Sequence, residues 1–206
     1  VQDLSKLGSV LKDLKQGVAV QDRTKKLQMP ASFKDITGTG VRKRFLDYLM
    51  SRGWSRYKAM GIARMYGLKC CLVGRWAHRI IIPVHMDGQL VTWVGRTTVN
   101  DMRRYLALST TPDDHDPTQP VATTNIKDTL FNYDELIKTG GEVLYICEGS
   151  FDAMNIDWHG HSRKYPVRAT ALWSADISEQ QVYLLQELSK HFARVVVLLD
   201  QAALSN

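Results

Sequence analysis

Cysteine is scarce: three in 206 residues, two of them adjacent (Cys70, Cys71). Three cannot form a disulfide framework, and none has metal-ligand spacing, so Cys70, Cys71 and Cys147 read as structural residues in a reducing, cytoplasmic compartment. Long apolar runs are missing too. The longest, VVVLL at 195–199, is far below the roughly 18–20 residues that cross a bilayer. A soluble protein without membrane contact is expected. No basic-then-apolar leader opens the chain, and no repeat or low-complexity tract interrupts it. The chain starts on Val1 and stops shortly after a strand-like run, so it reads as a piece of something longer. With 44% hydrophobic and 23% charged residues, disorder, collagen and coiled coil are excluded, and one large or two small globular domains fit the length.

Charge is present but sorted. Residues 1–110 carry 20 Lys and Arg against 7 Asp and Glu; residues 111–206 carry 7 against 14. A basic half attracts phosphates by steering and counterion release, whereas an acidic half repels them unless its carboxylates hold divalent cations. That pairing suits a metal-dependent nucleic-acid enzyme, although basic helices are usually only solvated faces.

Residues 1–29 read as a tether, a weakly amphipathic helix and a charged linker contributing little core. The spacing of Val41, Phe45, Tyr48 and Leu49 predicts a helix over 41–53, closed by Gly53. A second follows over 55–67 with Ser55 as N-cap, making 30–70 a basic helical hairpin. From Arg79 the period becomes two, and Asp87-Gly88 predicts a β-hairpin. Residues 107–128, rich in Thr and Asp and holding three of the six prolines, predict a long, irregular, mobile surface loop. Beyond it come a buried strand (143–147), a helix (about 150–158), a strand (167–174), a helix (178–192, Ser178 as N-cap) and a Val-rich strand (193–200) apolar on both faces. This order predicts a right-handed parallel α/β unit, whose working residues belong at the carboxyl ends of the strands.

Those strand ends carry acids. Glu148-Gly149 ends the first strand, with Asp152 one helical turn on, and Asp200 ends the third. Gly149 permits a sharp turn without a Cβ. Adjacent parallel strands lie about 4.8 Å apart, so Glu148 and Asp200 are candidates to share one divalent cation. Either acid alone would be read as a helix cap; an E-G-x-x-D after an apolar strand, with a second apolar strand ending in Asp, points to a site. Elsewhere, His159-Gly-His161 reads as two solvated loop histidines rather than a metal site. Trp54, Trp76 and Trp93 read as core in preference to base-stacking platforms.

LYICEGSFD, ATALWSADISEQQ and ARVVVLLDQA together resemble the Toprim domain. The wider order of segments resembles the catalytic core of DnaG-type DNA primases of the phage or mobile-element type: RIIIPVHMDGQLVTWVGR (79–96), RRYLALST (103–110), TLFNYDEL (129–136) and the basic stretch containing YLMSRGWS. The match covers about residues 30–202. It implies an α/β fold, a Toprim-like Rossmannoid parallel sheet with flanking helices over 129–206, preceded by a basic α+β subdomain of helices and a β-hairpin over 30–128. It also implies an enzyme that copies single-stranded DNA into short RNA primers from nucleoside triphosphates. Glu148, Asp152 and Asp200 would be its catalytic acids, and Glu148 and Asp200 would ligate Mg2+ or Mn2+. Arg79, Arg96, Arg103 and Arg104 would bind template and triphosphate, as guanidinium groups clamp phosphate bidentately. A replicative helicase would be a partner in a primosome, in the cytoplasm of a bacterium or a phage-infected host. The family's Asp-x-Asp reads Asp200-Gln201-Ala202 here, which removes one ligand, since a methyl cannot bind a hard cation. The family's zinc ribbon and C-terminal helical region are absent from the sequence. Two other readings stay open: a Toprim nuclease or topoisomerase-like enzyme, and an inactive module that binds single-stranded nucleic acid.

Overall fold

The structure, a computed structural model, describes residues 26–100, 103–114, 116, 118–162, 166–174 and 176–198. Five strands in sequence order form an antiparallel sheet: β1 (Lys34–Asp35), β2 (Lys69–Cys71), β3 (Arg79–Met86), β4 (Gln89–Thr97) and β5 (Tyr105–Ala107). Its centre is the expected hairpin. Asp87 and Gly88 stand at φ 54° and 72°, the two positive values that match a tight turn to the twist of its strands, and Met86 pairs with Gln89. The expectation of a purely helical 30–70 missed β1 and β2, which exist through long-range pairing such as Cys70 with Ile80. Between them lie α1 (Lys43–Ser51) and α2 (Arg56–Met65). Ser55 caps α2 as expected, its side chain accepting from the Lys58 amide. Val41 belongs to a 3-10 turn ahead of α1 and is exposed; Phe45, Leu46 and Leu49 supply the buried face instead.

The central strand is covered on both faces, and its alternation separates two cores. Ile80 and Ile82 join Phe45, Leu46, Leu49 and Ile62 under the helices. Ile81, one residue out of phase, joins Phe33, Trp76, Trp93, Leu108 and Ala122 on the opposite face, as a period of two requires. The 107–128 segment, expected to be a surface loop, thus packs both its ends on the second core, joined where the Ala122 amide donates to Ser109 O at 2.8 Å and the Thr123 amide to Val91 O at 2.9 Å. Of the expected tether, residues 1–25 lie outside the described residues, while Leu27 and Met29 pack against this core.

After α3 (Tyr133–Thr139) comes a parallel three-stranded sheet of β6 (Gly141–Cys147), β7 (Val167–Ala171) and β8 (Phe192–Leu198), in the order β7-β6-β8. The crossovers are α4 (Ser150–Ser162) and α5 (Glu179–Ser189). Ser178 and Gln181 close a capping box on α5, two orphan amides satisfied reciprocally. Two expectations change. The first concerns α4, which continues through His159 and His161; these lie on helix rather than loop. The second concerns β8, expected to be buried on both faces. It borders β6 alone among the described strands, leaving Val195, Val197 and Leu198 40%, 57% and 44% exposed. The first core extends into this half through Cys147, Phe151, Ala153, Met154 and Ala169. No helix among the described residues is long and apolar enough to cross a membrane.

Candidate active site

β6 is the middle strand of the parallel sheet, and Glu148 follows its last residue, partly exposed. The chain turns at Gly149 directly into α4. A Cβ at Gly149 would stand 3.2 Å from Asp152 Oδ2, so the Asp152 carboxylate folds back over the turn, on the side the sequence predicts. The neighbouring thiol registers it: Cys147 is pushed up to about 12, first by burial and then by the negative charge of Asp152. β6 and β8 are parallel neighbours, Cys147 opposite Leu198. Asp200 and Ala202 lie outside the described residues.

A cationic and aromatic group stands on the antiparallel half, and the charge of Asp152 reaches one member of it, Tyr105. Arg96 on β4 pairs in register with Tyr105 on β5. Its guanidinium carbon lies 4.8 Å over the Tyr105 ring, and its Nε donates to Tyr48 Oη at 2.8 Å. Tyr105 is raised above the usual phenol range by burial, against the positive charges of Arg96 and Arg52 and with the charge of Asp152 adding to the rise. These side chains therefore share one field.

Arg52 was not among the arginines picked from the sequence. It follows α1 ahead of Gly53, whose φ of 83° redirects the chain, and its guanidinium stacks 4.7 Å from the Phe151 ring centroid, one residue from Asp152. The one signal for it was its place in YLMSRGWS, and an arginine at a helix end does not declare which way it points.

Arg79 is the reverse case. Only 4% exposed, it donates from one Nη to Gly95 O at 3.2 Å and Arg103 O at 3.0 Å. It holds strands together rather than meeting solvent phosphate. Arg103 and Arg104 lead into β5 and are exposed. Trp54, Trp76 and Trp93 are 6%, 5% and 0% exposed, core residues as expected and no platform for bases. All three cysteines are free and buried. His159 Nε2 lies 2.9 Å from Lys58 Nζ, and His161 Nε2 lies 3.9 Å from Asp157 Oδ2.

Glu148 and Asp152 are hard oxygen donors at one strand end, the donor type that Mg2+ or Mn2+ takes. Two carboxylates leave most of the coordination sphere to other oxygens, and among the described residues no group of three or more His, Cys, Asp or Glu gathers as a metal site. Two clefts, of about 450 and 530 Å³, flank Arg64 and Gly67 at the far end of α2; neither is lined by Glu148 or Asp152.

No family model matches the sequence, and no curated protein matches it. Solved structures do. A DnaG catalytic core superposes with a TM-score of 0.60 at 15% identity, over 83% of this chain and 60% of that one. The Escherichia coli primase catalytic core gives 0.56 at 15%, over 80% and 57%. A DnaG primase catalytic domain bound to single-stranded DNA gives 0.53 at 16%, over 80% and 56%. The chain thus spans less than two thirds of each of these proteins and has the fold of the DnaG catalytic core.

Proposed function

We propose that this chain is the core fragment of a DnaG-type DNA primase, which copies single-stranded DNA into short RNA primers from nucleoside triphosphates by metal-dependent phosphoryl transfer. One observation carries the reading: the Asp152 carboxylate, folded over the turn after Glu148 at the carboxyl end of the central parallel strand, is within electrostatic reach of Tyr105, on which Arg96 stacks, while Arg52 stacks on the adjoining Phe151. Acids on one wall and guanidinium groups on the other are what a triphosphate with its cation requires, because little covalent chemistry is left to the protein beyond positioning and charge stabilisation.

Each residue has a part on this reading. Glu148 and Asp152, with Asp200 as the third acid of the Toprim pattern, hold Mg2+ or Mn2+. When bound, the cations neutralise charge on the triphosphate and lower the barrier to attack by the primer hydroxyl. Arg52 and Arg96 orient phosphate oxygens in forked pairs, Tyr48 fixes the Arg96 fork through its hydroxyl, and Arg103 and Arg104 add sequence-independent attraction for the template backbone. Arg79 shapes the strand ends and touches no substrate. The further partners are the RNA primer and a replicative helicase, in the cytoplasm of a bacterium or a phage-infected host.

Ala202 favours a second reading, a module that binds single-stranded nucleic acid without turnover. Incubating the chain with a single-stranded template, labelled ribonucleotides and Mn2+ separates the two. Template-dependent oligoribonucleotides that disappear in Glu148→Gln support the primase; template binding with no product supports the module. Cleavage of the template instead would support a Toprim nuclease.

A further inference from the structure

The Asp157 carboxylate is fully buried on α4, and donors from separate segments converge on it. Tyr66, at the C-cap of α2, donates from Oη to Asp157 Oδ2 at 2.6 Å. Asn132, ahead of α3, donates to the same oxygen at 3.4 Å. From β7, Arg168 Nε reaches Oδ1 at 2.6 Å and the Ala169 amide reaches it at 3.2 Å. The Tyr66 ring also packs on Phe131, centroids 5.0 Å apart, and Phe131 on Trp173, 5.9 Å apart, beyond the end of β7.

The placement gives this junction its consequence. Asp157 lies five residues beyond Asp152 on α4, about 7.5 Å at the usual helical rise. α2 touches α4 again midway, where Trp158 fills the space a Cβ at Gly61 would occupy, 2.1 Å from its ring. Just ahead of α2, Arg52 stacks on Phe151. α2 itself meets α4 over residues 155–159, through Lys58, Gly61 and Tyr66, with Arg52 from the cap of α1 reaching the Asp152 end, and the Tyr66 hydroxyl is the polar contact that fixes the C-terminal end of α2.

We infer that Tyr66 is a positioning residue: its bond to Asp157 holds α4 at the angle that keeps Asp152 opposite Arg52 and Arg96, so that a triphosphate and its cation are gripped from both walls at once. This rests on the primase reading for its ligand, whereas the strut itself does not. The buried Asp157 already has Arg168 as counter-charge, so the Tyr66 hydroxyl sets the relation of the two halves rather than satisfying the charge.

Tyr66→Phe tests this, because it removes one hydroxyl and keeps the ring on Phe131; exposed Tyr57→Phe is the control. Affinity for Mn2+ alone and for a single-stranded oligonucleotide alone should stay within about twofold of wild type. Affinity for mant-ATP with Mn2+ should fall about tenfold, the size expected for one hydrogen bond to a charged acceptor. Amide exchange over 150–156 should rise about tenfold by the same reasoning, while that of Ile80–Val84 stays put. Unchanged exchange over 150–156, or an equal rise in β3, overturns the inference, since a merely structural role moves both. Wild-type protein that binds no mant-ATP with Mn2+ contradicts the primase reading instead, and the exchange pattern still decides on the strut.

Discussion

Arg168 Nε lies 2.6 Å from Asp157 Oδ1, with the two side chains 7% and 0% exposed, which makes this a buried ion pair inside the parallel half. Its carboxylate also accepts from Tyr66, Asn132 and the Ala169 amide, so the charge is satisfied only while Arg168 stays. Arg168→Ala should destabilise the protein by about 3–5 kcal/mol, because it leaves an uncompensated buried carboxylate. Urea unfolding followed by tryptophan fluorescence measures this, and a loss below about 1 kcal/mol would show that the pair is replaced by water.

Gly95 sits where Arg79 crosses β4. A Cβ there would stand 2.9 Å from Arg79 Cδ and 2.9 Å from the Trp76 ring. Gly95→Ala should cost about 1–3 kcal/mol of stability by overpacking and should displace the neighbouring Arg96. The same unfolding assay, read beside affinity for mant-ATP with Mn2+, tests both effects; a fully stable variant with intact binding would mean that Arg79 and Trp76 have room to move.

The buried thiols set a limit on the alkaline side. Burial pushes Cys147 up to about 12 and Cys70 up to about 11 from an ordinary 9.0. Over roughly pH 9–12 the folded protein keeps protons that the unfolded chain releases, so this stability is intact below pH 9 and is lost as pH rises through the folded values. Tyr66, held up by burial and by the charge of Asp157, adds to the slope above about pH 10. Urea midpoints should hold between pH 8 and 9 and fall from pH 9 to 11, and Cys147→Ala should flatten the fall. A flat wild-type profile would contradict the burial argument.

Oligonucleotide binding should be steeply salt-dependent. If four to six phosphates are neutralised, the log-log slope is roughly −3 to −4 at about 0.7 per phosphate. Arg103→Ala or Arg104→Ala should each reduce it by about 0.7, whereas Arg79→Lys should act through stability. A slope near zero would remove the basic half from the template path.

Local signals were legible in the sequence. The Asp87-Gly88 hairpin, the Ser55 and Ser178 caps and the Glu148-Gly149 turn each depend on a few consecutive residues, and each appears where the sequence predicts it. What escaped depends on residues far apart in the chain. β1 has two residues and β2 three, too few to show a period, and both exist by pairing with distant strands. The Val-rich β8 carries the composition of a buried strand, yet strand order leaves it with one described neighbour. Arg79 opens β3 and Arg52 caps α1, and only the packing at Gly95 and Phe151 sends one inward and stacks the other on the ring beside Asp152. Part of the candidate site was legible for the same reason: Glu148 and Asp152 come from one turn of chain, whereas Arg96 and Arg52 come from 52 to 100 residues earlier in the sequence.

On the primase reading the Glu148 end of β6 holds a divalent cation for phosphoryl transfer. Titration of Mn2+ into wild-type and Glu148→Gln protein, followed by the electron paramagnetic resonance of free Mn2+, decides this. Wild-type protein should bind Mn2+ measurably and the variant at least about tenfold more weakly, since losing one anionic oxygen ligand of a hard cation removes both charge and coordination. Equal affinity in the two proteins would contradict it.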